Sequence, residues 1–226
     1  MVQCLELEGV RVAFGYPGAA ICPFYDVLAG SRIHHVLVRT EQNAAHAASG
    51  YARISGRVGV CIATSGPGAT NLLTGIASAY MDSIPLVVIT GQVRSDLLGR
   101  DVFQEADITG AAEPFTKHSY IVKRARDLPR IFKEAFHIAS TGRPGPVLID
   151  VPIDMQQASI PEFDYAQPVD VIGYKPRTQG HSLQIKKAVE ALAASKRPVL
   201  CAGGGVLSAG ARKELRALAE QCRLPV

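Results

Sequence analysis

The chain has 226 residues, 47% of them hydrophobic types, enough for one full α/β domain and part of a second. Its net charge of +4 is dispersed, and the densest basic cluster, Lys123-Arg124-Ala125-Arg126, reads as a solvated face, so no nucleic-acid partner is expected. Mean hydropathy is +0.13, yet no apolar run reaches the ~18 residues of a membrane span, and the first ten residues lack the basic start and apolar core of a secretory signal. A cytoplasmic chain with no membrane partner is therefore expected.

Helical and strand patterns alternate along the first two thirds. Residues 2–8 read as a helix end and 12–16 as a short strand. A helix follows Pro23 to about Leu28, then a strand over 33–39 and an alanine-rich helix over 41–55. Residues 58–64 are a continuous apolar strand, 69–80 a helix, and 86–90 another buried strand. A polar loop over 91–101 leads to a short helix near 104–110, a strand at 120–122, a helix at 128–140 and a last apolar strand at 146–151. Strands that are apolar throughout and separated by helices imply a parallel sheet covered on both faces, a doubly wound α/β layout.

Residues 156–180 break the pattern with Pro161, Pro168, Gly173 and Pro176, and read as a linker. A second unit then begins, with a helix at 182–194, a strand at 198–202, the turn Gly203-Gly204-Gly205 and a helix at 209–222. One strand and two helices bury no core, so 181–226 reads as the truncated start of a second α/β domain, after a first domain over 1–155.

Ligands of doubly wound sheets bind beyond the carboxyl ends of the strands. Four loops lie there: Gly15-Tyr16-Pro17-Gly18-Ala19-Ala20, Arg39-Thr40-Glu41-Gln42, Thr64 to Asn71, and the long stretch from Gly91 to Glu105. Glycines at strand ends let a backbone approach a ligand closely, and Pro67 suits the first turn of a helix. Taken alone, Glu41 could simply favour a helix dipole after Thr40 as N-cap. The five cysteines are odd in number and lack C-x-x-C spacing, so buried reduced thiols are expected. His34, His35, His46, His137 and His181 show no ligand spacing, and no metal site is expected among these residues.

The strings FGYPGAA, RTEQNAAHAASGYAR, ATSGPGATNLLTGIASAYMDSIPLVVITGQV, DVFQEADI, TKHSY and GRPGPVLIDVP run in order from Phe14 to Pro152, and KRPVLCAGGGV follows. Together they resemble the pyrimidine-binding domain, and then the start of the central domain, of acetolactate synthase (acetohydroxyacid synthase) large subunits. The resemblance implies a thiamine-diphosphate enzyme of branched-chain amino-acid biosynthesis. Pyruvate is decarboxylated, and its hydroxyethyl unit passes to a second pyruvate or to 2-oxobutyrate. Glu41 is then the glutamate that hydrogen-bonds N1′ of the aminopyrimidine and favours its imino tautomer, with the carbanion chemistry supplied by the cofactor. Gln104 joins it as a catalytic residue. Tyr16, Pro17, Gly18, Thr64, Pro67 and Asn71 hold the cofactor, and Ala19 and Phe103 line the substrate channel. Phe103 could equally be a core side chain. Lys117 and His118 fall either behind the site or on open surface. Arg143 matches an arginine that contacts FAD in members that bind it.

The resemblance also implies a homodimer or tetramer of large subunits and a small regulatory subunit. Mg²⁺ and the diphosphate are expected on a Gly-Asp-Gly string and a following asparagine in a carboxyl-terminal domain; no such string occurs here, so these residues alone are expected to be inactive. Three departures from the usual pattern are Ala19 for a glycine, Ile153 for a lysine, and Arg100-Asp101-Val102 before Phe103. They leave FAD binding and the channel wall open. Another thiamine enzyme of the same shape (glyoxylate carboligase, pyruvate oxidase or oxalyl-CoA decarboxylase) stays open, as do a split enzyme and a non-catalytic dimerising module.

Overall fold

The computed structural model describes all 226 residues and divides them into two compact units, Met1–Pro176 and Arg177–Val226. In the first, six strands form one all-parallel sheet: β1 Val12–Gly15, β2 His34–Leu37, β3 Gly59–Ala63, β4 Leu86–Gln92, β5 His118–Ile121 and β6 Pro146–Pro152. Their order is β2-β1-β3-β4-β6-β5. The chain steps outward from β1 to β2, then returns across β1 to β3. The switch point of the sheet therefore lies between β1 and β3.

Alternate side chains of the central strands enter two cores. Val60, Ile62, Val87, Ile89, Val147 and Ile149 face one side, where α1 Val2–Leu7, α2 Cys22–Leu28 and α7 Leu128–Ser140 cover them. Cys61, Ala63, Leu86, Val88 and Leu148 face the other, under α3 Glu41–Ser55, α5 Leu73–Met81 and α6 Ile108–Ala112. Burial on both faces is why these strands read as continuous apolar runs. Helix α3 presents a stripe of Ala44, Ala45, Ala48 and Ala52, small enough to sit close to the sheet. It ends where Gly56 adopts φ +68°, a left-handed turn that glycine adopts at least cost.

Several elements differ from the sequence reading. The helix expected over 69–80 is two: α4 Pro67–Asn71 and α5, separated at Leu72, whose N–H bonds back to the Ala69 carbonyl at 3.0 Å. The helix expected near 104–110 starts only at Ile108, because Gln104 has φ +59°, outside any right-handed helix. It is capped there by Asp107, whose carboxylate accepts the Gly110 N–H at 2.9 Å. Of the cysteines, Cys4 and Cys61 are buried as expected, but Cys22, Cys201 and Cys222 are exposed. No helix is long and apolar enough to cross a membrane.

The stretch expected as a linker packs on the first unit as far as Tyr174. Beyond the short helix α8 Ile153–Gln157 it has no regular structure, yet Phe163, Tyr165 and Tyr174 lie against the first core. The Tyr165 hydroxyl donates to Glu8 at 2.8 Å, and Lys133 Nζ donates to the Tyr165 and Gln167 carbonyls at 2.7 and 2.6 Å. Aromatic anchors and a lysine thus turn a proline-rich stretch into a strap. Tyr165→Phe is expected to cost about 1 kcal/mol in urea unfolding, the worth of one such bond. No loss of stability would mean that the Lys133 bonds and the apolar contacts hold the strap without the hydroxyl.

The second unit holds α9 Ser182–Ala194, α10 Gly204–Ser208 and α11 Arg212–Cys222. The strand expected at 198–202 does not form. A strand needs a partner, and the one backbone bond recorded for this stretch runs from Leu200 N–H to the Pro225 carbonyl.

Candidate active site

Three loops meet at the carboxyl ends of β1, β2 and β3. Glu41 opens α3 immediately after β2, so its carboxylate sits at a helix N-terminus beside the switch point. Asn71, at the end of α4, donates from Nδ2 to Glu41 Oε2 at 2.9 Å. Gln42 Nε2 in turn donates to Asn71 Oδ1 at 3.1 Å. This chain of amides fixes the face that Asn71 shows to the carboxylate and holds one Glu41 oxygen in place, while Oε1 forms no hydrogen bond within the protein.

Thr64 follows β3, and its Oγ1 accepts the Ala20 N–H at 3.2 Å, tying the loop after β1 to the loop after β3. Gly18 lies against Thr64 so closely that a Cβ there would sit 2.5 Å from Thr64 Cβ. A Cβ on Gly68 would come within 2.7 Å of Thr64 Cγ2 and 3.4 Å of Glu41 Oε1. One on Gly66 would meet the Gln104 carbonyl at 2.7 Å and its Cα at 2.9 Å. Three glycines therefore let the loops after β1 and β3 and the Gln104 backbone pack closely around Thr64 and Glu41, where a Cβ would collide. Pro67 occupies the first turn of α4. Tyr16 is 40% exposed at the end of β1.

Of the residues picked from the sequence, Gly18, Glu41, Thr64, Asn71 and Gln104 are brought together, with Tyr16 and Pro17 on the loop beside them. Phe103 is 88% exposed on the neighbouring loop, so it is no core side chain. Ala19 and Ile153, two of the departures from the usual pattern, line one shallow hollow together with Cys22 and Tyr25. Arg143 is elsewhere. It precedes β6, donates to Ser83 Oγ at 2.8 Å and to the Met81 carbonyl at 3.3 Å, and so lies at the amino ends of the strands. Lys117 is also structural: its Nζ donates to the Ile138 and Thr141 carbonyls at the end of α7 and to the Tyr174 hydroxyl. His118 is exposed.

A polar cluster under the site escaped the sequence reading. Thr90 Oγ1 donates to Asp150 Oδ1 at 2.6 Å, and Gln92 Nε2 to Asp150 Oδ2 at 2.9 Å. All three residues are buried. Burial pushes the Asp150 carboxyl up to about 7, against the pull of its two donors and with Asp107 adding to the rise. The sequence signal was a single carboxylate inside the apolar string Pro146–Pro152. Because the folded value lies above the ordinary 3.8, the unfolded chain releases this proton first. The contribution of Asp150 to stability is therefore full below that ordinary value and is lost as pH rises through about 7. Asp150→Asn does not titrate. The stability of the native chain minus that of the Asn variant is expected to fall across this window in urea titrations; parallel profiles would contradict the assignment.

A six-stranded parallel sheet with a carboxylate and glycine-rich loops at its switch point has the layout of a ligand-binding α/β domain, and comparison with known proteins identifies which. The model of the thiamine pyrophosphate enzyme N-terminal TPP binding domain matches residues 1–111, and that of the thiamine pyrophosphate enzyme central domain matches 185–226. The chain belongs to the thiamine pyrophosphate enzymes. It is 55% identical along its whole length to the probable acetolactate synthase large subunit of Methanocaldococcus jannaschii, and 54% identical to the acetolactate synthase large subunit of Corynebacterium glutamicum. It spans 39% and 36% of the length of these relatives. Among solved structures, benzoylformate decarboxylase from Polynucleobacter necessarius superposes over 96% of this chain and 40% of its own, with a TM-score of 0.87 and 25% identity.

Proposed function

We propose that this chain supplies the aminopyrimidine half of an acetolactate synthase active site. The observation that carries the reading is the Glu41 carboxylate at the switch point, with one oxygen held by Asn71 and the other without a protein partner. A ring nitrogen suits a carboxylate oxygen without a protein partner. The kinship with acetolactate synthase large subunits supplies the reaction: decarboxylation of pyruvate and transfer of the hydroxyethyl unit to pyruvate or 2-oxobutyrate.

Bound thiamine diphosphate supplies a carbon nucleophile and an electron sink for the decarboxylation. The protein's own part is positional and protonic. Glu41 would share a proton with the pyrimidine nitrogen through Oε1. Asn71 holds the other oxygen, and Gln42 holds Asn71, so the carboxylate needs no reorganisation when the cofactor is in place. Gln104 and Thr64 would flank the ring, and the Tyr16-Pro17-Gly18 backbone would close its edge. Phe103 would offer an apolar wall to the substrate.

No Gly-Asp-Gly string occurs in these 226 residues. We therefore place the diphosphate and Mg²⁺ ligands outside them, in keeping with the preference of Mg²⁺ for oxygen ligands and bound phosphates. The name large subunit, borne by the relatives, fits a small regulatory partner and self-association of the large chains. For FAD, one exposed arginine at the far end of the strands is no cradle, and Arg143 carries no step here. The 226 residues alone, given pyruvate, thiamine diphosphate and Mg²⁺, are expected to yield no acetolactate. A clear yield would show that both halves of the site lie within them and would overturn this division.

A further inference from the structure

We infer that Asp150 is a positioning residue, a buried strut that fixes the loop carrying Phe103 and Gln104 through the side chain of Gln92. The inference rests on the reading of that loop as part of the active site. Residues 99–106 form an irregular stretch between β4 and α6. Two of its residues, Asp101 and Gln104, have positive φ, +54° and +59°, without being glycine. Such residues cost roughly 1–3 kcal/mol each and persist only where the surroundings hold them.

The turn is closed on itself by Glu105, whose carboxylate accepts the Gly99 and Val102 N–H groups. That closure gives the loop a shape but no place. Of the hydrogen bonds made by residues 99–106, the one that reaches the sheet runs from Gln92 Nε2 to the Ala106 carbonyl, at 2.9 Å. Gln92 uses every polar atom it has. Its second amide hydrogen goes to Asp150 Oδ2 at 2.9 Å, and its Oε1 accepts the Val93 N–H at 2.9 Å. Two acceptors on one side and a donor on the other leave a single orientation for the amide.

Asp150 is what makes that orientation stiff. It stands opposite Thr90 in the register of β4 and β6, and Thr90 holds its other oxygen. The carboxylate is thus clamped at both oxygens in a buried site, where an unmade hydrogen bond is costly. The path runs from β6 through Asp150 and Gln92 to Ala106, two residues from Gln104. Gln104 in turn lies against the backbone of Gly66 in the loop after β3. The strut therefore fixes where the Gln104 backbone stands against Gly66. A buried carboxylate held by two neutral donors contributes less to stability than apolar packing would. Loop placement gives it a use.

The test is hydrogen–deuterium exchange of the 226-residue chain with no cofactor added. Asp150→Ala and the volume-conserving Gln92→Met are compared with Asp150→Asn. Asn can accept from Gln92 through Oδ1 and donate to Thr90 through Nδ2. In the Ala and Met variants, the amides of 99–106 and of the first turn of α6 are expected to exchange at least tenfold faster. The amides of α3 and α7 should keep their native rates, and the Asn variant should keep the native rate throughout. Native exchange of the loop in both Ala and Met variants would overturn the inference. So would equal acceleration of every segment, or an Asn variant as fast as the Ala one. If the Ala variant does not fold, Gln92→Met decides alone. Because no cofactor enters, an error in the assignment of the active site would show as undiminished turnover of a Glu41→Gln enzyme and leave this result standing.

Discussion

Glu41→Gln in the enzyme that carries this chain is expected to lower kcat by about 10²–10⁴-fold, the usual worth of one positioned proton-transfer group. The expectation follows from what the substitution leaves intact. Gln keeps an oxygen to accept from Asn71 and keeps the side chain's shape, so the amide chain from Gln42 through Asn71 survives. What disappears is the ability to share a proton with a ring nitrogen. Thermal unfolding of the variant should stay close to the native transition while turnover collapses. Turnover within a fewfold of native would mean that Glu41 only favours the N-terminus of α3. A joint collapse of stability and turnover would mean that its role is in the fold.

Gly66→Ala is expected to cost roughly 2–6 kcal/mol in stability from two sources that add. The first is conformational. Gly66 has φ +59° and ψ −124°, a region that residues with a Cβ rarely enter. The second is steric, since the new Cβ would press on the Gln104 backbone at 2.7 and 2.9 Å, where no flexible side chain can yield. Gly9→Ala separates the two. Gly9 also has positive φ, +72°, but nothing lies within 4 Å of its would-be Cβ. It should lose only the conformational part, about 1 kcal/mol. Equal losses at the two glycines in urea unfolding would show that Gln104 does not press on the loop after β3. A larger loss at Gly66, with weaker thiamine diphosphate binding, is the expected result.

The parts of the fold that follow from short-range pattern were legible in the sequence. The central strands announce themselves because both of their faces are buried, and α3 because four alanines recur on one side of it. The strand-end glycines pointed to the site for a physical reason: they are where the loops pack so closely that a Cβ would collide. The rest depends on contacts distant in sequence. The shape of 99–106 is set by positive φ at Asp101 and Gln104 and by a bond to Gln92, none of which has a local signature. The strap over 158–176 read as a linker because its prolines are conspicuous and its aromatic anchors are scattered. The partners of Arg143, Ser83 and Met81, lie some 60 residues earlier, so its place at the amino ends of the strands has no local signature. Asp150 went unread inside an apolar string, because its partners Thr90 and Gln92 lie on the neighbouring strand.

The measurement that bears most directly on the central claim is product analysis of the enzyme carrying this chain, supplied with pyruvate, thiamine diphosphate and Mg²⁺. Acetolactate formed with one carbon dioxide for each pair of pyruvates, and lost in Glu41→Gln, is the expected result. Pyruvate consumed to acetaldehyde or acetyl phosphate without acetolactate, or acetolactate formed undiminished by the Glu41 variant, would contradict it.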